Sequence, residues 1–191
     1  MDTENNTDET LMSRIREHDE TALIVLQQKY YRHLCKFAFH LLRRKDYAEE
    51  AASNVFINIW CRRQSLAIKT TLRNYLFSSV NNQALKLLTR QIGTDTVAID
   101  DVPPHKLVDA IRTDGGLLFR EFEEELEALL ACMPPQRQLV FRMNRFEKMP
   151  YKQIAAVLNI SPRTVQNHMV EANQQIAVTL PRLYELMKRG F

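Results

Sequence analysis

Glycine is scarce in this chain, with four among 191 residues. Gly93, Gly115 and Gly116 lie in one middle stretch, and Gly190 is the penultimate residue. A glycine-rich loop that cradles phosphates is therefore absent. Long apolar runs are missing as well. A membrane span needs about 18 apolar residues, and stretches such as Leu23-Ile24-Val25-Leu26 fall far short. The opening MDTENNTDET is acidic and polar, which does not suit a secretory signal peptide. Cys35, Cys61 and Cys132 are then expected to be reduced thiols. His18, His33, His40, His105 and His168 are scattered, and His33 with Cys35 is too sparse for a zinc site. These absences predict a cytoplasmic protein with no metal or other cofactor, no stable membrane insertion and no catalytic constellation.

What is present is charge, and it is segregated. The formal net charge is only +3, yet residues 1–20 carry −5, 21–91 carry +9, 92–127 carry −7 and 128–191 carry +6. Two basic modules are separated by an acidic strip. Blocks of this kind suit a polyanionic partner for the basic parts and a solvated linker for the acidic one. Two merely solvated helical surfaces would look the same for either module taken alone.

Strong helix formers dominate, and strict apolar alternation is absent, so the fold class is all-α. Leu23, Leu26, Tyr30, Leu34, Phe37 and Leu41 recur at steps of three or four, one stripe of a long helix. Asp46 followed by Glu49 reads as a capping box opening a second helix, with a stripe of Ala48, Ala52, Val55, Phe56 and Ile59. A third helix follows a basic loop and carries Leu72, Leu76, Val80, Ala84 and Leu87. Three helices in about seventy residues bury about 60% of their unfolded surface, which leaves such a bundle marginal on its own.

The predicted organisation is an acidic segment (1–20) with the start of the first helix, then a three-to-four-helix bundle (21–91). A flexible acidic linker (92–120) leads to a C-terminal helical domain (121–188). Pro103-Pro104 and Gly115-Gly116 punctuate the linker, with a brief helix around Leu107 to Ile111. In the last domain a helix from about Phe119 to Met133 stops before Pro134-Pro135. A second, about Gln136 to Phe146, turns Leu139, Val140 and Met143 inward.

The stretch from Tyr151 to Leu180 is the most informative. Ile154, Ala155 and Leu158 make a short amphipathic helix, and Asn159, which tolerates left-handed geometry, follows where the chain must turn. Ser161-Pro162 is an N-cap with proline at the first helical position, and the next helix buries Val165, Met169, Ala172 and Ile176. Two short helices, a tight turn and a small Ala155 at their crossing match a helix-turn-helix. An ordinary helical hairpin with a wet polar face is the competing reading, but turn residue, cap, spacing and charge agree on DNA. The outward face then presents Ser161, Arg163, Thr164, Gln166, Asn167 and Glu171 to base edges and phosphates. A helix N-terminus favours phosphate even without a cation.

In the first module the basic loop and third helix combine Arg62, Arg63, Gln64, Lys69, Arg73, Asn74, Asn81, Asn82, Lys86 and Arg90 with Tyr75 and Phe77. Cations that follow a backbone and faces that hold unstacked bases suit single-stranded nucleic acid. Tyr75 and Phe77 serve equally well as core residues at this stage, and Trp60 is assigned to core. The second helix shows Glu49, Glu50, Ser53, Asn54 and Asn58 on its outer side, a face able to dock a protein or simply to stay wet.

Ala48 to Trp60 (AEEAASNVFINIW) resembles the core-polymerase-binding helix of a bacterial RNA polymerase sigma factor of the sigma-70 family, extracytoplasmic-function (ECF) subfamily. Asn74 to Leu88 resembles the promoter-melting segment that follows it, and Met133 to Ala172 is similar to the promoter-reading C-terminal domain. The third helix looks most like versions from Bacteroides-type bacteria. Departures exist: Ser53-Asn54 stands where a Gln-acidic pair is usual, Gln153 where Glu is usual, and Lys148 and Asn159 where glycine is usual. The resemblance implies a non-enzymatic role with core RNA polymerase and promoter DNA as partners, and it admits a membrane anti-sigma factor. Arg62, Arg63, Lys69, Arg73, Asn74, Asn81, Asn82, Lys86 and Arg90 would then meet the minus-ten element. Glu49, Glu50, Ser53, Asn54 and Asn58 would meet the core, and the helix-turn-helix residues would read the minus-thirty-five element. Two rivals are weighed: a helix-turn-helix regulator that acts without being a polymerase subunit, and an enzyme on nucleic acid. The second would need clustered carboxylates, and the basic module offers only Asp46, Glu49 and Glu50, at one helix start.

Overall fold

The computed structural model describes residues 7–92, 125–179 and 181, and all regular structure among them is helical. They fall into two compact units, one within Met1–Ala98 and one within Ile99–Phe191. The expected linker with its brief helix, and the predicted helix start at Phe119, lie outside the described residues.

The first unit holds four helices: α1 (Asp8–Arg16), α2 (Glu20–Leu42), α3 (Lys45–Arg62) and α4 (Leu72–Ile92). Sequence reasoning took residues 1–20 as an acidic lead-in, whereas α1 is a helix of its own. Thr7 caps it, its side chain accepting from Thr10 N at 3.2 Å, and Leu11, Met12 and Ile15 bury its inner face. His18, at φ 68°, turns the chain. Asp19 then caps α2, accepting from Thr21 N at 2.9 Å and Ala22 N at 3.2 Å. Asp8 fastens α1 to α2 by taking Lys29 Nζ and the Tyr30 hydroxyl, each at 2.7 Å. Burial and that carboxylate push the Tyr30 hydroxyl pKa well up.

The capping box expected at Asp46 is not formed. Helix α3 starts two residues earlier, at Lys45, after Arg44, which makes no side-chain cap bond. Asp46 sits inside the first turn, where the Arg44 fork takes it at 3.2 and 2.6 Å and holds its carboxyl below the usual range. A charge-assisted fork outcompetes a single backbone N–H for the same carboxylate.

The stripes predicted for α3 and α4 are all buried. Ala48, Ala51 and Ala52 keep α3 thin where it meets its neighbours, and α2 packs against α1, α3 and α4. Being covered on three sides, α2 buries a wider arc than a single stripe. Ala22, Ala38, Phe39 and Leu42 join it, while Leu23 and Leu41 are only half-buried. Phe37 and Phe77 meet edge to face at 5.5 Å. Residue Arg43, at φ 54°, closes α2 by donating its N–H to Phe39 O at 2.8 Å.

The second unit begins with helical residues 125–131 (α5) and continues with α6 (Pro135–Arg145), α7 (Tyr151–Leu158) and α8 (Pro162–Thr179). Buried Gln138 on α6 donates to Met133 O at 3.0 Å across the proline pair. Glu127 takes the Arg142 fork, one arm at 2.8 Å, and so ties α5 to α6. Lys148 turns the α6–α7 connection at φ 51°, taking the left-handed conformation that glycine ordinarily supplies. Asn144 Nδ2 closes that loop on Met149 O at 3.0 Å.

Asp19 makes one part of the fold sensitive to acid. Hydrogen bonds from the Thr21 hydroxyl and then from Arg14 lower its carboxyl pKa from 3.8 to about 2. A depressed folded-state pKa gives stability that is present above the unfolded value and lost as pH falls through the folded one. Acid unfolding between about pH 4 and 2 should therefore be less steep in Asp19→Asn, which keeps the cap and removes the titration. Equal steepness in chemical denaturation at stepped pH would refute this role for Asp19.

Candidate nucleic-acid interface

The reading helix of the second unit is set by three residues. Asn159 ends α7 in left-handed geometry (φ 54°, ψ 47°), and Ile160 N donates back to Ala155 O at 3.0 Å. Ser161 Oγ accepts from Thr164 N at 3.0 Å, so α8 starts capped, with Pro162 first. Ala155 is buried in α7, which packs against α8. Val165, Met169, Ala172 and Ile176 lie inside, as their spacing predicts. In α7, however, Val157 is buried and Leu158 only half-buried.

Arg163, Gln166 and Asn167 are exposed on α8, close to its capped N-terminus. That arrangement can offer a guanidinium and two amides to base edges while free backbone N–H groups face phosphate. Thr164 is half-buried, and its hydroxyl meets Ser161 Oγ at 2.8 Å, so both side chains serve the cap. Glu171 forms an ion pair with Arg137 of α6 and so ties α8 to that helix. His168 packs half-buried, with both ring nitrogens shielded. Lys152, exposed in the first turn of α7, was missed by sequence reasoning, although the first helix of such a motif ordinarily lies over the backbone.

In the first unit the predicted cationic surface divides over two faces of α4. Asn74 and Asn81 are 9% and 6% exposed and share the inner face with fully buried Phe77. These positions are seven and three or four residues apart, so they fall together on the side covered by neighbouring helices. Asn74 and Asn81 are thus buried on the inner side of α4, and Phe77, which could serve either role by its sequence position, is a core residue. Arg73 is half-buried, its guanidinium 5.8 Å from the Phe77 ring. Asn82, Lys86 and Arg90 lie on the outer face, where with Leu85 and Thr89 they line a shallow open depression. Leu85, 48% exposed, supplies an apolar floor that sequence reasoning passed over. Tyr75 is half-buried, and Arg62 and Lys69 are exposed.

Arg63 is held by partners within the first unit. Its guanidinium lies over the Trp60 ring, 4.4 Å from the centroid. Nη1 donates to Trp60 O and Nη2 bonds His18 Nδ1, both at 2.6 Å. A cation committed to an aromatic face, a carbonyl and an imidazole belongs to the fold's own contacts. Trp60, half-buried beneath it, is a seat for that cation rather than deep core.

Outside the bundle, α3 presents Glu49, Glu50, Asn58 and Cys61 as exposed and Ser53 and Asn54 as half-buried. Glu49 pairs with Lys45 at 3.8 Å, and Ser53 Oγ lies 3.4 Å from the Tyr31 hydroxyl. Ile57, 56% exposed, stands among these polar groups. The signal for it was available: the inner stripe of α3 leaves position 57 on the outside. All three cysteines are free, and burial raises the Cys35 thiol pKa. Among the described residues no His, Cys, Asp and Glu side chains gather into a metal-holding group, and no helix is long and apolar enough to cross a membrane.

A basic helix-turn-helix unit and a second helical unit with exposed cations on α4 define a DNA-binding protein built of two all-α parts. Comparison with known proteins makes this specific. The family described as Sigma-70 region 2 matches residues 26–92, and that described as Sigma-70, region 4 matches residues 123–178, together more than half of the chain. The chain belongs to the sigma-70 family and is a sigma factor, a polymerase-binding factor that recognises promoters. It is similar to the RNA polymerase sigma-H factor of Pseudomonas aeruginosa, at 22% identity over 92% of this chain and 95% of that one. Among solved structures it shares its fold with CnrH, solved with the cytosolic domain of CnrY (TM-score 0.60, 14% identity, 92% of this chain and 97% of that one). It also resembles RpoE of Bartonella quintana, solved with the anti-sigma factor NepR (TM-score 0.62, 17% identity, 81% and 94%).

The cap that aims α8 is separable from the residues that would read DNA. Ser161→Ala should cost about 1 kcal/mol of stability by removing the cap. Chemical denaturation checks this, and an unchanged midpoint would show that the Thr164 N–H finds another acceptor.

Proposed function

We propose that this chain is an ECF-type sigma factor of the Bacteroides kind, whose two units divide the work of promoter use. In this reading the unit within 21–91 docks core RNA polymerase through α3 and holds the opened minus-ten element through its loop and α4. The unit within 121–188 reads the duplex minus-thirty-five element, and the acidic stretch 92–120 links the two. The observation that carries the reading is the capped helix-turn-helix with Arg163, Gln166 and Asn167 outward, in the same chain as a basic bundle. The core-facing set is Glu49, Glu50, Ser53, Asn54 and Asn58, now with Ile57 at its centre. The minus-ten set is Arg62, Lys69, Asn82, Lys86 and Arg90, with Arg73 at its edge.

Such a protein works in the cytoplasm, where polymerase and DNA are. The RpoE structure with its anti-sigma factor NepR supports an anti-sigma protein as a further partner for this chain. Opening the duplex costs about 1.4 kcal/mol per base-pair step, and capturing an unstacked base returns about 1–3 kcal/mol. The isolated units are then weak DNA binders, and specificity emerges in the holoenzyme.

Run-off transcription with purified bacterial core and genomic fragments tests this: specific transcripts are expected, and their absence across the genome would sink the reading. Arg163→Ala and Gln166→Ala should each weaken minus-thirty-five preference by about 1–3 kcal/mol per lost base contact. Unchanged preference in competition footprinting would remove them from the interface. Ile57→Asp should weaken core binding by about 1.5–3 kcal/mol, the amount covering one isoleucine supplies. Unaltered affinity in a core-titration assay would move the docking face elsewhere.

A further inference from the structure

The loop joining α3 to α4, residues 63–71, is the one long connection in the first unit, and Lys69 lies exposed on it. Its far end is set by Thr71, whose Oγ1 accepts from Asn74 N at 3.3 Å. Its near end is held differently, by side-chain bonds to a corner some 45 residues earlier. Arg63 reaches His18, and Gln64 Nε2 donates to Arg16 O at 2.6 Å while lying 3.4 Å from His18 Nε2. Ser65 N and Leu66 N both fold back on Arg62 O, at 2.9 and 2.8 Å, which makes the tethered residues one tight turn.

We propose that the α1–α2 corner is a positioning element for this loop: the His18 imidazole, through Arg63, and the Arg16 carbonyl, through Gln64, fix where the loop leaves α3. The inference rests on the reading of the loop and α4 as the surface that holds opened promoter DNA, and it adds a role for α1 that this reading does not contain.

The corner is built to be rigid. Leu11 and Ile15 are fully buried under α1, and Asp8 clamps α1 to α2. Arg14 Nε bonds Asp19 Oδ2 at 2.8 Å, and Arg14 Nη2 bonds Thr21 Oγ1 at 3.1 Å across the turn. His18 stands exposed at the apex in left-handed geometry, and its ring meets Arg63. A guanidinium only donates, so His18 Nδ1 is the acceptor in this contact. Stacking on Trp60 and the bond to Trp60 O hold Arg63 flat against the end of α3, with its Nε shielded from solvent. The ring of His18 therefore meets a guanidinium that is already oriented. Capture of a strand by the loop needs a defined starting geometry, because freezing a mobile loop at the moment of binding consumes binding free energy.

Position 18 allows a clean test, because its backbone and its side chain can be changed separately. His18→Gly keeps, and even favours, a positive φ while deleting the imidazole. His18→Asn tolerates the same backbone and returns an acceptor oxygen near the place of Nδ1. Three quantities are measured in the full chain: amide exchange of residues 64–68 in the free protein, affinity for core polymerase, and open-complex formation by the holoenzyme, read with 2-aminopurine in the minus-ten region. His18→Gly should raise exchange in the loop and lower open-complex formation, each roughly tenfold for the loss of a charge-assisted bond. Core affinity should be unchanged, and His18→Asn should restore both altered quantities. Loop exchange that does not change in His18→Gly overturns the proposal. So does faster exchange with normal promoter opening, or failure of His18→Asn to rescue. A wild-type holoenzyme that opens no promoter would instead refute the sigma-factor reading of this surface, and exchange in the free protein would still decide whether the latch exists.

Discussion

A helical unit is only as good as its corners, and among the described residues those corners turn without glycine. Among the described residues four non-glycine residues take positive φ, namely His18, Arg43, Lys148 and Asn159. Each stands at one corner: α1 to α2, α2 to α3, α6 to α7 and α7 to α8. Left-handed geometry costs an ordinary L-residue about 1–2 kcal/mol, and less for asparagine. That strain has to be offset by the packing on either side, where a well-buried leucine or phenylalanine contributes about 1.5–3 kcal/mol. The alanine rows of α3 and Ala155 of α7 then follow naturally, since sharp corners bring helices together closely and only small side chains fit between them. The two other connections are handled differently: α5 to α6 turns at the proline pair, and α3 to α4 uses a long loop.

The corners also decide what each unit can touch. Asn159 sets the direction of α8, and the Ser161 cap fixes where that helix starts, so that Arg163, Gln166 and Asn167 emerge together. In the first unit the corner at His18 brings α1 back beside the end of α3, and the surface of α4 inherits its frame from the loop that starts there. Charge follows the same division. The +9 and +6 blocks lie on these units, and within them some cations are committed to internal partners while others stay outward. Arg63, Arg137 and Arg142 hold helices to one another, whereas Arg62, Lys69, Lys86 and Arg163 face solvent.

Much of this was legible in the sequence because it is local. Period-three-and-four spacing placed α2, α3, α4, α6 and α8, and Asn159 with Ser161-Pro162 disclosed a turn whose cap and left-handed residue act within three positions. Helix α1 was missed because the acidic and polar run before Leu11 masked three apolar residues spaced for a helix. The faces of α4 were mixed because asparagine is equally at home at a wet surface and in a polar core position, and only the neighbours decide. The contacts of Arg63 and Glu171 were hidden for a related reason: their partners, His18 and Arg137, are 45 and 34 residues away in the chain. No local pattern announces such a pair.

Lys148 shows what turning without glycine means for change in the sequence. It is exposed and lies at a bend, the kind of position where almost any substitution is ordinarily accepted. Its φ of 51° withdraws that freedom, since a β-branched side chain there would clash with its own backbone. The mutational tolerance of this protein is therefore not a simple gradient from a strict interior to a permissive exterior. At four corners the exterior is restricted as well, and variation there favours side chains that tolerate a positive φ over β-branched ones.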